Sequence, residues 1–187
     1  MAIKTFSTGE VLTASDTNTF LANAGLVYVA QTTFTAAATV QFTNCFNSTY
    51  RNYRSYLEVT ASTGTNFYIR LLNGTTPATG NILCTNQYNQ YSAASIVKNT
   101  RGDQYGLIGS AFATLTSQYI IDWIAPFATD YTSYCANGVG ARSTTDSDWN
   151  MTWARNIVTT SFNGFEILTA GAPTLAGSLR HFGVRDA

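Results

Sequence analysis

Charge is scarce in this chain. Asp, Glu, Lys and Arg make up 11% of its residues, where a soluble domain carries about 25%. The 10 basic and 10 acidic residues cancel. That balance argues against a general nucleic-acid or membrane-surface binder, since either needs a basic face. Cysteine is equally thin: Cys45, Cys84 and Cys135 are odd in number and widely spaced, with no C-x-x-C pair. Neither a disulfide framework nor a zinc site is indicated, and free thiols are expected. No stretch approaches the roughly 20 apolar residues of a membrane span. No apolar leader follows Met1, so the chain reads as made in a cytoplasm without a secretion signal. No G-x-x-x-x-G-K phosphate loop occurs.

Catalytic clusters are missing as well. His181 is the one histidine. It lies in an alternating run near the C-terminus, without local partners, and reads as an ordinary strand or interface histidine. Asp146 and Asp148 are the closest acidic pair and too sparse for a calcium loop. Glycosidase chemistry would need two carboxyls across one groove; Glu58, Glu166, Asp122 and Asp130 show no local pattern for it. The tripeptide Arg101-Gly-Asp103 reads as a turn around Gly102. No catalytic residue, metal site or cofactor is therefore expected, and the protein reads as non-enzymatic.

What the chain does have is Thr, Asn, Ser and aromatic residues. Thr occurs 30 times, Asn 15 and Ser 14, with 11 Tyr and 11 Phe. β-Branched and aromatic side chains suit a pleated, half-exposed surface. The length of 187 residues suits one domain with a small appendage. From Leu26 the apolar period is two. Strands are expected at 26–30, 53–61, 66–72, 82–91, 104–108, 111–116, 119–124, 131–137, 162–168 and 178–184. Thr63-Gly-Thr65 predicts a hairpin between the second and third of these. Residues 142–148 read as an exposed polar loop. Turn signals recur roughly every ten residues, and no βα alternation is visible, which points to a sandwich or barrel.

Residues 1–25 follow another rule. Ile3, Phe6, Val11 and Leu12 are apolar anchors in a polar arm. Thr13-Ala-Ser-Asp16 resembles a capping box, and residues 14–24 read as a short helix carrying Phe20 and Leu21, stopped at Gly25. About three turns of helix are marginal alone and need a surface to lie on.

Tyr and Trp recur from position 88 onward: Tyr88, Tyr91, Tyr105, Tyr119, Tyr131, Tyr134, Trp149 and Trp153. Core and interface use is the usual role of such residues. A glycan platform is the alternative, with Trp149 and Trp153 beside the polar loop as its residues.

Three segments carry a resemblance. Phe6-Ser-Thr-Gly-Glu-Val-Leu-Thr-Ala-Ser-Asp-Thr-Asn18 resembles the F-x-x-G-E-x-L-T-A-x-D-x-N start of structural proteins of tailed bacteriophages. Tyr50-Arg-Asn-Tyr-Arg-Ser-Tyr-Leu-Glu-Val59 is similar to the Y-x-x-Y-x-x-x-L strand of small phage β-sandwich domains. Phe162-Asn-Gly-Phe-Glu-Ile-Leu168 and Leu175-Ala-Gly-Ser-Leu-Arg-His-Phe-Gly-Val-Arg185 are similar to their closing G-x-I-R-V-Y-G strand, with His181-Phe182 in place of the more usual aliphatic-Tyr pair. Together they span about a quarter of the chain.

The resemblance implies an all-β, antiparallel jelly-roll-like sandwich over residues 26–187, preceded by a docking arm with one short helix over residues 1–25. It implies a structural virion component of fibre, neck or baseplate-appendage type. The chain would assemble as a homotrimer and attach to other virion proteins through Ile3, Phe6, Val11, Leu12, Phe20 and Leu21. A capsid cement protein clamping shell subunits is the first alternative. A receptor-recognition module binding a host-surface glycan through Trp149 and Trp153 is the second. Neither nucleic-acid binding nor membrane insertion is expected.

Overall fold

The computed structural model describes residues 7–11, 13, 25–79, 82–91, 95–103, 105–113, 115–169 and 171–185. Among them every regular element is a strand, and every pairing is antiparallel. The strands are β1 (Leu26–Ala37), β2 (Thr39–Phe42), β3 (Asn52–Ala61), β4 (Thr65–Asn73), β5 (Thr76–Pro77), β6 (Ile82–Gln90), β7 (Ser95–Asp103), β8 (Gly106–Ala111), β9 (Ser117–Ile124), β10 (Ser133–Ser143), β11 (Asp146–Asn156), β12 (Gly164–Thr169) and β13 (Leu175–Val184). Eight form one sheet in the order β1-β13-β3-β9-β10-β11-β6-β7. The other five form a second sheet, β2-β12-β4-β5, with β8 also paired to β4. The two sheets make a jelly-roll-like sandwich.

Strict alternation builds the larger sheet. In β3, Tyr53, Ser55, Leu57 and Val59 are buried, while Arg54, Tyr56 and Glu58 face outward. β9 does the same with Tyr119, Ile121 and Trp123. Aromatic rings fill the space between the sheets: Trp123 lies 4.5 Å from Phe165 and 5.2 Å from Phe46, centroid to centroid. β8 runs close beneath β10, β11 and β6 because it is rich in small residues. A Cβ at Gly106 or Gly109 would strike the rings of Tyr134 or Tyr119. The Tyr119 hydroxyl clamps β8 directly, donating to the Ser110 carbonyl at 2.9 Å and accepting from the Ser110 N–H at 3.1 Å.

Several expectations need correction. β3 and β4 do not form a hairpin: β3 pairs with β13 and β9, and β4 with β12, β5 and β8. Residues 62–64 carry the chain from one sheet to the other, and a short Gly-containing link serves a sheet-to-sheet corner as readily as a hairpin. The strand expected at 111–116 is instead the end of β8 followed by an isolated bridge between Phe112 and Leu115. The polar loop at 142–148 is a tight connection between β10 and β11, which pair from Ser143↔Asp146 to Ser133↔Arg155. Arg101-Gly-Asp103 ends strand β7 and makes no turn. β2, β5, β7 and β11 are further strands that the sequence pattern does not predict. The predicted helix over 14–24, and the anchors Ile3, Phe6, Leu12, Phe20 and Leu21, lie outside the described residues. Val11 is described and is 77% exposed.

Candidate functional site: the outer face of the eight-stranded sheet

Strand β11 has its polarity reversed. Its buried side chains include Asp148, Asn150, Thr152 and Asn156, whereas its outward row reads Trp149, Met151, Trp153 and Arg155. A strand on a sandwich ordinarily places its apolar row inward. Here the inward polar row is met by polar partners. Asn86 donates to Thr152 Oγ1 at 2.7 Å. Asp148 accepts from Ser110 Oγ at 3.2 Å and pairs with Arg142 at 3.3 Å. Burial pushes the Asp148 carboxyl above the usual carboxylate range, and Arg142 and Ser110 oppose that push. Asp146, two residues earlier on the same strand, accepts from Gln90 Nε2 at 2.8 Å, and its charge adds to the upward push on Asp148. Among the described residues no group of His, Cys, Asp and Glu is arranged to hold a metal ion.

The outward tryptophans are 46% (Trp149) and 45% (Trp153) exposed, and both face the same side of the sheet. Register sets their neighbours. Trp153 lies between Thr85 of β6 and Cys135 of β10; Trp149 lies between Asn89 and Val139. Met151 between them is flanked by Gln87 and Asn137. Leu83, Ile120, Ile124 and Val139 are also exposed on this face. A groove of about 500 Å³ runs between Leu83, Ile124, Cys135, Trp153 and Arg155. A second hollow of about 360 Å³ lies at Trp149, bounded by Asn89, Tyr91 and Val139. Burial raises the Cys135 thiol, with Asn137 opposing and the Asp122 charge adding to the shift.

The same face changes character toward β1. Arg54 clasps Asp122 through two hydrogen bonds of 2.6 and 2.9 Å, and Arg180 lies 3.8 Å from Glu58. Glu58 and Asp122 therefore share a face, each engaged by an arginine. Glu166 sits on the other sheet, paired with Arg70 and bonded by Gln41. Asp130 bonds the Tyr131 N–H at 2.6 Å. The structure does not gather these carboxyls into one groove.

His181 occupies the core. It is 0% exposed, its Nδ1 lies 2.8 Å from Ser55 Oγ, and Tyr53 stacks on its ring at 5.1 Å. Ser55 Oγ also accepts from the Trp123 indole at 2.9 Å. A hydroxyl beside an imidazole has the form of a nucleophile and base. This pair is sealed beneath Tyr53 and Phe46, and burial lowers the histidine to about 4. Its geometry is that of a hydrogen bond in the core.

Sequence reasoning selected Trp149 and Trp153 and missed their setting. Cys135, Ile124 and Leu83 reach the same face only through strand pairing, and Tyr131 joins it through its contact with Arg155. The available signal was the alternation within Asp146–Asn156, Trp and Met in one phase and Asp, Asn and Thr in the other.

No family model matches the chain, and no curated protein matches it. Among solved structures it is similar to the galectin LEC-6 of Caenorhabditis elegans, with a TM-score of 0.32 and 11% identity over 86% of this chain and 96% of that one. No residue role is transferred at that distance, and the all-β sandwich rests on the strand pairing itself.

Proposed function

We propose that the chain is a non-catalytic structural subunit of a tailed-phage virion, of fibre, neck or baseplate-appendage type. Residues 1–25 dock it to other virion proteins, and the sandwich presents the outer face of its larger sheet for contact. One observation carries the idea of a contact face: β11 turns Trp149, Met151 and Trp153 outward while polar residues fill its inner row. Exposed tryptophans grouped with Leu83, Ile124 and Val139 form a surface of the kind used in recognition. The F-x-x-G-E-x-L-T-A-x-D-x-N arm supports the placement on a virion. Deleting residues 1–20 tests the placement: the sandwich should fold with its thermal transition intact and fail to enter particles. A variant that enters particles normally would sink it.

The tryptophans favour a second reading, a carbohydrate-binding receptor-recognition module. Sugar CH faces stack on exposed rings, and the neighbouring side chains Gln87, Asn89 and Asn137 are neutral donors and acceptors. On a glycan array the protein should bind, and Trp149→Ala and Trp153→Ala should each remove the signal without lowering Tm. An array without signal sinks this reading and leaves the structural one standing.

A further inference from the structure

Arg155 stands two positions beyond Trp153 on the outward row of β11. Its guanidinium lies 4.4 Å from the centroid of the Tyr131 ring. Arg54, Arg70, Arg142 and Arg180 each meet a carboxylate, respectively Asp122, Glu166, Asp148 and Glu58. Arg155 meets none among the described residues. Stacking on Tyr131 holds the guanidinium plane and leaves its N–H edge free, because a ring face engages the cation without using its donors. The groove beside it is walled by Leu83, Ile124, Cys135 and Trp153, with the hydroxyls of Thr85 and Ser133, and no acidic residue lines it. Asp122, across the strand pair from Cys135, has both oxygens engaged by Arg54. The groove thus combines an aromatic wall with one uncompensated positive charge.

We propose that this groove is a subsite for a carboxylate-bearing pyranose, a uronic acid unit of an acidic polysaccharide. The sugar's CH face rests on Trp153 and its carboxylate meets the Arg155 fork. The proposal rests on the glycan-binding reading and adds the charge of the sugar. Two residues along one strand face separate Trp153 from Arg155 by about 7 Å, the reach from a stacked ring to a carboxylate held by an extended guanidinium. A planar fork matches a carboxylate through two parallel hydrogen bonds, which a neutral hydroxymethyl group cannot reproduce. Trp149 lies about 13 Å farther along β11 than Trp153 and offers a second platform to a glycan strand following β11. Charge complementarity selects this ligand over a neutral glycan, for which Arg155 would be a buried, unpaired cation on binding.

The test uses the full chain with nitrogen-labelled tryptophan, titrated with free glucuronate and galacturonate, oligogalacturonate and alginate oligomers, and the methyl esters of each. Acidic sugars should shift the Trp153 indole signal and leave that of buried Trp123 in place. Arg155→Gln should weaken acidic sugars about tenfold or more and leave the esters unchanged. Trp153→Ala should abolish binding of both, and circular dichroism should show both variants folded. Equal affinity for acids and esters, insensitive to Arg155→Gln, overturns the acidic subsite and leaves glycan binding intact. No shift with any of these sugars overturns the subsite, and the glycan array decides separately whether the face binds other sugars.

Discussion

At the scale of single residues, His181 couples the core to pH. Burial lowers it from 6.5 to about 4. The unfolded chain takes up this proton near pH 6.5, and the folded chain only near pH 4. Between those values the unfolded state binds more protons, so stability falls as pH drops from 6.5 to 4 and levels off below. The loss is about 3 kcal/mol if the whole shift is expressed. Urea midpoints across that window should fall in the native protein, and His181→Asn should flatten the descent. Parallel curves for the two proteins would refute the assignment. Trp149 and Trp153 make the opposite case. Both are half exposed, so truncation to Ala should move stability by no more than about 0.5 kcal/mol while affecting any ligand of the face. A large loss of Tm would mean that these rings hold the fold.

At the scale of elements, β13 shows how closely the larger sheet is assembled. Gly177 pairs with Val59 of β3, and a Cβ there would meet the Glu58 backbone carbonyl and the Val59 Cα. Backbone cannot swing aside as a side-chain tip can, so Gly177→Ala should cost about 1–3 kcal/mol. Denaturant melts check this, and an unchanged midpoint would show that β13 and β3 separate easily. Element by element, β3, β9 and β13 were legible because an apolar-in, polar-out alternation names both strand and face. β11 is not legible because its phases are reversed, with tryptophan outside and Asp148, Asn150 and Thr152 inside, and its first residues read as polar loop. β7 and β2 lacked a strong apolar signal. Which strands pair was not readable at all: Thr63-Gly-Thr65 links the two sheets, and nothing local tells a corner from a hairpin.

At the scale of the whole molecule, one face carries two properties. Toward β1 it sets paired charges, Arg54 with Asp122 and Arg180 with Glu58, beside the rings of Tyr28, Tyr56 and Phe182. Toward β6 it is apolar and aromatic. A homotrimer and a glycan could both use the second half, and they make different predictions. If copies of the chain pack there, Trp149→Asp should lower the sedimentation coefficient of the assembly. If the face stays open to sugar, the same variant should leave the assembly unchanged and lose glycan.

Composition and an apolar period of two are enough to make this an all-β chain of low charge, because both act locally and need no partner. The sequence also singles out Trp149 and Trp153 as residue types suited to a contact surface. That they share one open face, that Arg155 and Tyr131 join them, and that His181 is sealed in the core are visible only in the folded chain. Those facts depend on strand order and register, which arise from contacts between residues such as Trp153, Thr85 and Cys135, far apart in the chain.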